Sequence, residues 1–535
     1  MASLRDNHFL LAAGVLAVTV PAALLIAGWL RFGPVDDAFI SLRYATNWAN
    51  GTGLVFNPHE KVEGFSSFLT VALEAGLIGA WIDPAAAMKL VSWTGFGLLT
   101  VGLSWFFRYQ ILPGHVGGAL VLAVITSMNL GIIGWTASGM ETSLYSFLVL
   151  LTLLTSLHAT DTPVKVAVPA VALCLAAMTR PEAMILFPAT MLVIFQKTHS
   201  VTAVRRFAAA FVLLFGLYFS IRWAHFGQIF PNTFYAKLDY GSTILLQRGL
   251  RYVWDFVLAQ PLLALSVPIS LAFWKSSPTW VKATLVFLAV LTLTVVYEGG
   301  DHFAMHRFLV PTLPLLSGLV VFASQKIEGL FPSRLTRLSP PVLAAVVILG
   351  LSSFGNGARL KPDEEVQVTH RARLGFEALL AKEWTRVGQW FSHATPENAT
   401  LATVAIGAIG QFSERFVLDP HGLIDPAIAH QKQKLGTGYP GHEKFDLDRI
   451  FARSPHYLLL MNRITSRPIL PEELPSTVWG EFNRAILRDS RLEERYRYEV
   501  VDLGPEGYLN LHVRRDLRQI GRTPLLVRQP SAKPE

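Results

Sequence analysis

About eleven mostly apolar stretches run through the first two-thirds of this chain, and they limit its fold class before any single residue is considered. They lie at residues 9–30 and near 89–107, 116–135, 142–158, 164–179, 182–195, 207–224, 252–273, 280–297, 308–324 and 341–354. A helix needs about 20 apolar residues to cross a hydrocarbon core about 30 Å thick. The pattern therefore predicts a polytopic α-helical membrane protein. The first stretch, flanked by Arg5 and Arg31, is too long for the apolar core of a signal peptide and reads as a retained helix. Residues 65–82 are also apolar but hold Glu74 and two glycines, and are expected to lie along the outer surface without crossing.

Charge follows the same division. Only 16% of the 535 residues are charged, against about 25% in soluble proteins. Residues 360–535 hold 47 of the 84 charges. The expected organisation is a membrane domain over 1–358, with a first outer loop at 31–88, and a soluble α/β domain over 359–535. In that domain residues 376–391 read as an amphipathic helix. Residues 400–406, 456–461, 496–503 and 508–513 read as strands. The net charge is +8, and most of the excess belongs to the membrane part, where basic loops anchor in the cytosol. The single cysteine, Cys174, allows no internal disulfide. There is no Gly-x-x-x-x-Gly-Lys phosphate loop and no His-Glu-x-x-His zinc motif, which argues against ATP hydrolysis and zinc proteolysis.

The densest chemistry follows the first stretch, in Pro34-Val35-Asp36-Asp37-Ala38-Phe39-Ile40-Ser41-Leu42-Arg43-Tyr44. Pro34 and the two acids suit a helix start, where carboxylates meet the positive end of the dipole. Both acids then cap a short interfacial helix, with Asp37 paired to Arg43, or Asp36 faces a cavity as a base. Adjacent carboxylates repel, which raises one pKa and suits base chemistry. Turn residues follow in Asn50-Gly51-Thr52-Gly53-Leu54-Val55-Phe56-Asn57-Pro58, then Val62-Glu63-Gly64-Phe65.

These segments together resemble the opening of bacterial GT-C glycosyltransferases. They are most similar to the actinobacterial cell-wall arabinofuranosyltransferases that add terminal β-linked residues. Protein O-mannosyltransferases and the lipid A aminoarabinose transferase share the architecture and carry an acidic pair in the same loop. Four later motifs extend the resemblance: Ser138-Gly139-Met140-Glu141-Thr142, Thr179-Arg180-Pro181-Glu182, Pro231-Asn232-Thr233-Phe234-Tyr235-Ala236-Lys237, and Glu298-Gly299-Gly300-Asp301-His302-Phe303-Ala304-Met305-His306-Arg307.

The resemblance implies transfer of a sugar, arabinofuranose in the most similar group, from a polyprenyl-phosphate donor to a glycan, lipid or protein acceptor. Asp36 is the expected base and Asp37 the alternative. Arg180, Lys237, His306 and Arg307 are candidates for the departing phosphate, although long basic side chains at span ends also snorkel to the interface. Arg43, Tyr44, Glu63, Asn232, Tyr235, Asp301 and His302 join the donor-site candidates. Glu141 and Glu182 bind sugar hydroxyls or pair with nearby cations. His302 and His306, at i and i+4, form a metal pair or contact phosphate; without a third ligand in register no metal site is expected. No cofactor is expected, the donor lipid being a substrate.

Trp48 stacks on a sugar or belongs to an interfacial belt. His421, Asp425, His442 and Glu443, in loops of the soluble domain, bind acceptor or pack the domain. The expected location is a bacterial inner membrane, with the motif loops and soluble domain outside. The rival reading is a transporter or flippase of lipid-linked sugars, whose polar groups belong on broken helices near the bilayer midplane.

Overall fold

The structure, a computed structural model, describes residues 2–237, 243–328, 345–352, 355, 369–433, 441–477 and 480–518. The chain divides into two compact units. The first comprises Met1–Val35, Ser66–Ile229 and Tyr240–Ala378; the second comprises Asp36–Phe65, Phe230–Asp239 and Leu379–Glu535. The expected cut near residue 358 is contiguous, but the units are not. Two segments of the membrane half, one of them most of the first outer loop, fold with the C-terminal residues.

The first unit is helical. Among the described residues five helical segments are long and apolar enough to cross a bilayer: Leu11–Trp29, Pro84–Ile111, Val201–Phe226, Thr279–Glu298 and Ala304–Glu328. Two further pairs qualify only if each bent pair is one span. Val116–Ser127 and Leu130–Ala137 meet at 57°, with the Asn129 side chain accepting Gly131 N–H at 2.9 Å. Thr243–Ala259 and Pro261–Ala272 meet at 101°, where Pro261 supplies no donor to continue the first helix.

This is five to seven spans against the eleven expected. Thr142–Leu157 and Pro163–Thr179 are apolar but shorter, and the stretch at 182–195 becomes a 3₁₀ turn, Pro181–Ile185, and the helix Leu186–Thr198. Of the stretch at 341–354, residues 345–352 are described and helical; much of the rest, like the start of the expected soluble domain at 359–368, lies outside the described residues. Phe68–Gly79 has 12 residues, about 18 Å of helix, and falls short of a bilayer core.

Helices approach closely where side chains are smallest. A Cβ on Gly95 would lie 2.7 Å from Leu144 N, so glycine lets Pro84–Trp105 press against Thr142–Leu157. Gly249 does the same for Thr243–Ala259, where a Cβ would overlap the Val296 backbone of Thr279–Glu298.

The second unit carries a six-stranded mixed sheet: β1 Thr400–Thr403, β2 Phe416–Leu418, β3 Tyr457–Leu459, β4 Ile464–Thr465, β5 Tyr496–Asp502 and β6 Tyr508–Arg514. Its order is β2-β1-β3-β6-β4, with β5 also paired to β6. β1 runs parallel to β2 and β3, and all pairs with β6 are antiparallel. The four expected strands are all present, and the expected helix lies within His370–Ala394. β2 and β4, of three and two residues, are too short to register as periodic runs. Leu418, Ile450, Phe451, Leu458, Phe482 and Tyr496 fill the core on one side of this sheet.

Candidate functional site

Three of the five motifs meet in the first unit. Glu141 precedes helix Thr142–Leu157, and Arg180 follows Pro163–Thr179 in extended backbone, φ −146°. Glu182 sits in the 3₁₀ turn opened by Pro181. Glu298 ends its helix, which Gly299 and Gly300 terminate at φ +82° and +74°, values glycine adopts freely. Arg180 Nη1 donates to Glu141 Oε1 at 3.0 Å and its Nε donates to Glu182. Its guanidinium lies 4.5 Å from the Phe308 ring centre and 5.8 Å from that of Tyr145. The charge of Glu298 also acts on Arg180 and Glu182. A small opening is lined by Tyr145, Glu182, Thr294, Glu298 and Phe308. The Tyr145 hydroxyl is buried and has no hydrogen-bond partner among the described residues.

Beside this group, Arg307 Nε lies 2.7 Å from Asp301 Oδ2, in ion-pair contact but not in hydrogen-bond alignment. His302 Nδ1 is 3.4 Å from Asp301 Oδ1. Aromatic rings surround the Arg307 guanidinium: Phe303 at 4.6 Å, Phe308 at 5.1 Å and Trp135 at 5.4 Å. Phe308 thus contacts both arginines. Met305 and His306 occupy the left-handed region, φ 58° and 51°. Such backbone costs about 1–3 kcal/mol per residue and clusters at functional sites. Met305 N–H donates to His370 Nδ1 at 2.9 Å, and the His306 ring packs on Tyr252, Phe256 and His370. The result is a largely buried set of four carboxylates and two guanidiniums at converging helix ends. Paired, desolvated groups of this kind recognise anions and hydroxyls through charge-assisted hydrogen bonds.

The remaining candidates belong to the second unit. Asp36 and Asp37 open the helix Asp36–Ala49. Asp36 Oδ2 accepts Gly407 N–H at 3.0 Å and Oδ1 accepts Ala408 N–H at 2.7 Å, at the start of helix Ile406–Ser413. Arg43 donates to the carbonyls of Phe56 (2.8 Å), Arg415 (2.7 Å) and Gly410, and stacks over Phe56. The Tyr44 hydroxyl donates to Val62 O and accepts Gly64 N–H. These contacts weld the Asp-Asp segment to the C-terminal residues. Arg43 and Tyr44, expected at the donor, hold backbone here, and Arg43 is not ion-paired to Asp37 by any contact seen. Glu63 is buried, and its carbonyl accepts Asn232 N–H. Asn232 Nδ2 donates to Gly422 O and Leu423 O, and Tyr235 stacks on His430 at 4.1 Å. The Lys237 stem borders Gly441. Trp48 is 39% exposed.

In the loop after β2, Asp419 accepts the N–H of His421 and of Ile424. Burial pushes its carboxyl up to about 6, against the pull of those donors. Burial lowers the His421 imidazole to about 4. His421 Nδ1 meets Lys444 O, and its ring lies 5.1 Å from that of His442, beside Glu443. Asp425 caps Pro426–Ala429 and pairs with Arg449.

Glu141, Arg180, Glu182, Asp301, His302, His306 and Arg307 therefore gather in one unit, and the rest of the expected set lies in the other. Trp135, Tyr145, Tyr252, Glu298 and Phe308 were missed as site residues. Glu298 opens a quoted motif, and Tyr145 stands one turn after Glu141. The aromatic residues carry no local signal.

Residues 372–503 match a family described as a domain of unknown function, DUF8728. No curated protein matches the chain. Among solved structures, the apo oligosaccharyltransferase of Archaeoglobus fulgidus is similar at 11% identity and a TM-score of 0.52, over 93% of this chain and 74% of that one. ArnT of Cupriavidus metallidurans bound to undecaprenyl phosphate is similar at 11% identity and a TM-score of 0.50, over 77% and 87%. Against Archaeoglobus fulgidus AglB in complex with an inhibitory peptide and a dolichol-phosphate, the values are 12% and 0.45 over 76% of this chain, which spans 65% of that one. The chain carries the apolar helices of a multi-pass membrane protein and shares the fold of that oligosaccharyltransferase and of ArnT.

Proposed function

We propose that this chain is a membrane glycosyltransferase that moves a sugar from polyprenyl phosphate to a cell-envelope glycan, lipid or protein acceptor. The carrying observation is the convergence of the Glu141, Arg180–Glu182 and Glu298–Arg307 loops around the buried Arg307 and the half-buried Arg180. It is supported by a fold shared with an ArnT that binds undecaprenyl phosphate. In the reaction the acceptor oxygen bonds to the anomeric carbon while the bond from that carbon to the phosphate oxygen breaks. The lipid phosphate leaves with the electron pair, and a carboxylate takes the acceptor's proton. Arg180 and Arg307 neutralise the phosphate, and the surrounding carboxylates hold sugar hydroxyls.

The base comes from the Asp36–Asp37 pair. Both Asp36 oxygens are engaged by the backbone N–H groups of Gly407 and Ala408, which favours Asp37 as proton acceptor and Asp36 as its support. Arabinofuranose is the expected sugar, and the outer face of the inner membrane the expected location. Purified protein given labelled polyprenyl-phosphate sugar and envelope acceptor is expected to release polyprenyl phosphate and label the acceptor. Transbilayer movement of intact donor without transfer would instead identify a transporter.

A further inference from the structure

Arg307 follows directly on two residues in left-handed backbone, and neither is the glycine that such a turn favours: Met305 (φ 58°, ψ 25°) and His306 (φ 51°, ψ 54°). Both residues are buried, so their backbone is out of reach of bulk water. The peptide that enters the turn is pinned by side chains at both of its polar groups. Trp135 Nε1 donates to Ala304 O at 3.2 Å, and Met305 N–H donates to His370 Nδ1 at 2.9 Å. The helix His370–Ala394 meets the turn a second time through Leu374. A Cβ on Gly134 would lie 2.7 Å from the Leu374 side chain and 3.2 Å from the Met305 sulfur, so glycine there gives both of them room. The His306 ring lies 4.9 Å from that of His370, with Tyr252 and Phe256 against it at 5.3 and 5.6 Å. All these residues belong to the first unit.

A backbone N–H can only donate, so the accepting Nδ1 of His370 carries no proton and the ring proton sits on Nε2. His370 is therefore neutral in this arrangement. A second proton would set two N–H groups against each other and leave the buried Met305 N–H without its acceptor. That loss is of the same order as the strain of a left-handed residue, so it removes what offsets the strain. His370 also opens its helix, where the positive end of the dipole disfavours an added cation. The titratable and charged groups around it come from four elements. The facing loop brings Asp301, His302, His306 and Arg307, and its own helix brings Arg371 and the Arg373–Glu377 pair. Helix Thr243–Ala259 brings Arg248, Arg251, Tyr252 and Asp255, and the end of the first helix, which Gly375 abuts, brings Arg31. Helix Leu130–Ala137 brings none.

We propose that His370 is a positioning residue for the donor phosphate: as a neutral imidazole it fixes the Ala304–Met305 peptide, and through it the left-handed turn that aims Arg307. This rests on the reading that Arg307 binds that phosphate.

The test measures undecaprenyl phosphate binding to the full-length protein in detergent from about pH 7.5 to about 5.5, for wild type, His370→Asn and His370→Leu. Asn offers Oδ1 near the place of Nδ1 and takes no proton, whereas Leu offers no acceptor. At about pH 7.5, His370→Asn should bind within about threefold of wild type and His370→Leu about tenfold more weakly. Histidine ordinarily titrates at about pH 6.5, so the bond is complete above that value and is lost as pH falls through it. The phosphate and His306 titrate in wild type and in His370→Asn alike, so the ratio of the two affinities reports His370. That ratio should shift about fivefold in favour of the Asn variant between about pH 7.5 and about 5.5. A constant ratio overturns the inference and leaves the proposed function standing. So does wild-type affinity in His370→Leu, or equal loss in both variants. Thermal unfolding checks each variant, and if His370→Leu does not fold, the ratio decides. Failure of wild type to bind undecaprenyl phosphate overturns both readings.

Discussion

Arg307 is a buried cation whose neighbours include Asp301 and three aromatic rings, so its removal should affect binding and stability by separable routes. Arg307→Ala is expected to weaken undecaprenyl phosphate binding by about 1.5–3 kcal/mol, the worth of a charged hydrogen bond, with Lys restoring part of it. Alanine also leaves Asp301 with only the longer His302 contact and lowers thermal stability. Adding Asp301→Asn should recover the melting temperature but not the binding; recovery of both would make Arg307 structural. The Asp pair separates in a similar way. Asp36→Asn exchanges one acceptor for a donor beneath two N–H groups, so activity and about 1–2 kcal/mol of stability should fall together. Asp37→Asn should abolish transfer with stability intact, and the opposite pattern would put the base at Asp36. The motifs were legible as residue strings because acids and arginines in loops between apolar stretches are conspicuous. The pairing of Arg180 with Glu141, 39 residues away, was not, because neither periodicity nor local spacing encodes which loop ends meet.

Elements were legible to different degrees for equally physical reasons. Long apolar runs and alternating strands announce themselves. Helix ends, breaks such as the one at Gln260–Pro261, and short polar strands depend on partners elsewhere. Gly249 shows the dependence: nothing local marks it, yet its missing side chain lets two helices touch. Gly249→Leu should lower the melting temperature in detergent, by about 1–3 kcal/mol of overpacking, whereas Leu at the open Gly216 should not. The loop after β2 carries an opposed pH dependence. Asp419, raised to about 6, binds its proton more tightly when folded, so its contribution to stability falls as pH rises from about 4 to about 6. His421, lowered to about 4, is protonated first in the unfolded chain, so its contribution rises over about 4 to 6.5. Calorimetry of the full-length protein should therefore show stability climbing with pH in Asp419→Asn and declining in His421→Asn. Matching slopes in the two variants would exclude burial of this pair as their origin.

At the scale of the whole molecule, the motif loops are expected on the outer face and the basic segment around Lys197 in the cytosol. Cysteines placed singly at the exposed Thr52 and Lys197, in a Cys174→Ser background, should react with a membrane-impermeant thiol reagent in intact cells at position 52 only. The reverse result would invert the expected topology. The sequence by itself determined that the chain holds many apolar stretches of membrane character and a charged α/β domain after them, because hydrophobicity and charge act through composition along the chain. It also marked the acids and arginines. Only the tertiary structure decided that Asp36–Phe65 belongs with the C-terminal residues, and that Glu141, Arg180, Glu182, Glu298, Asp301 and Arg307 share one buried cluster. It alone left the Glu74 carboxyl without a hydrogen-bond partner among the described residues. Ion pairs, caps and close helix contacts join residues distant in sequence, and their energies exist only once the backbone has brought those residues together.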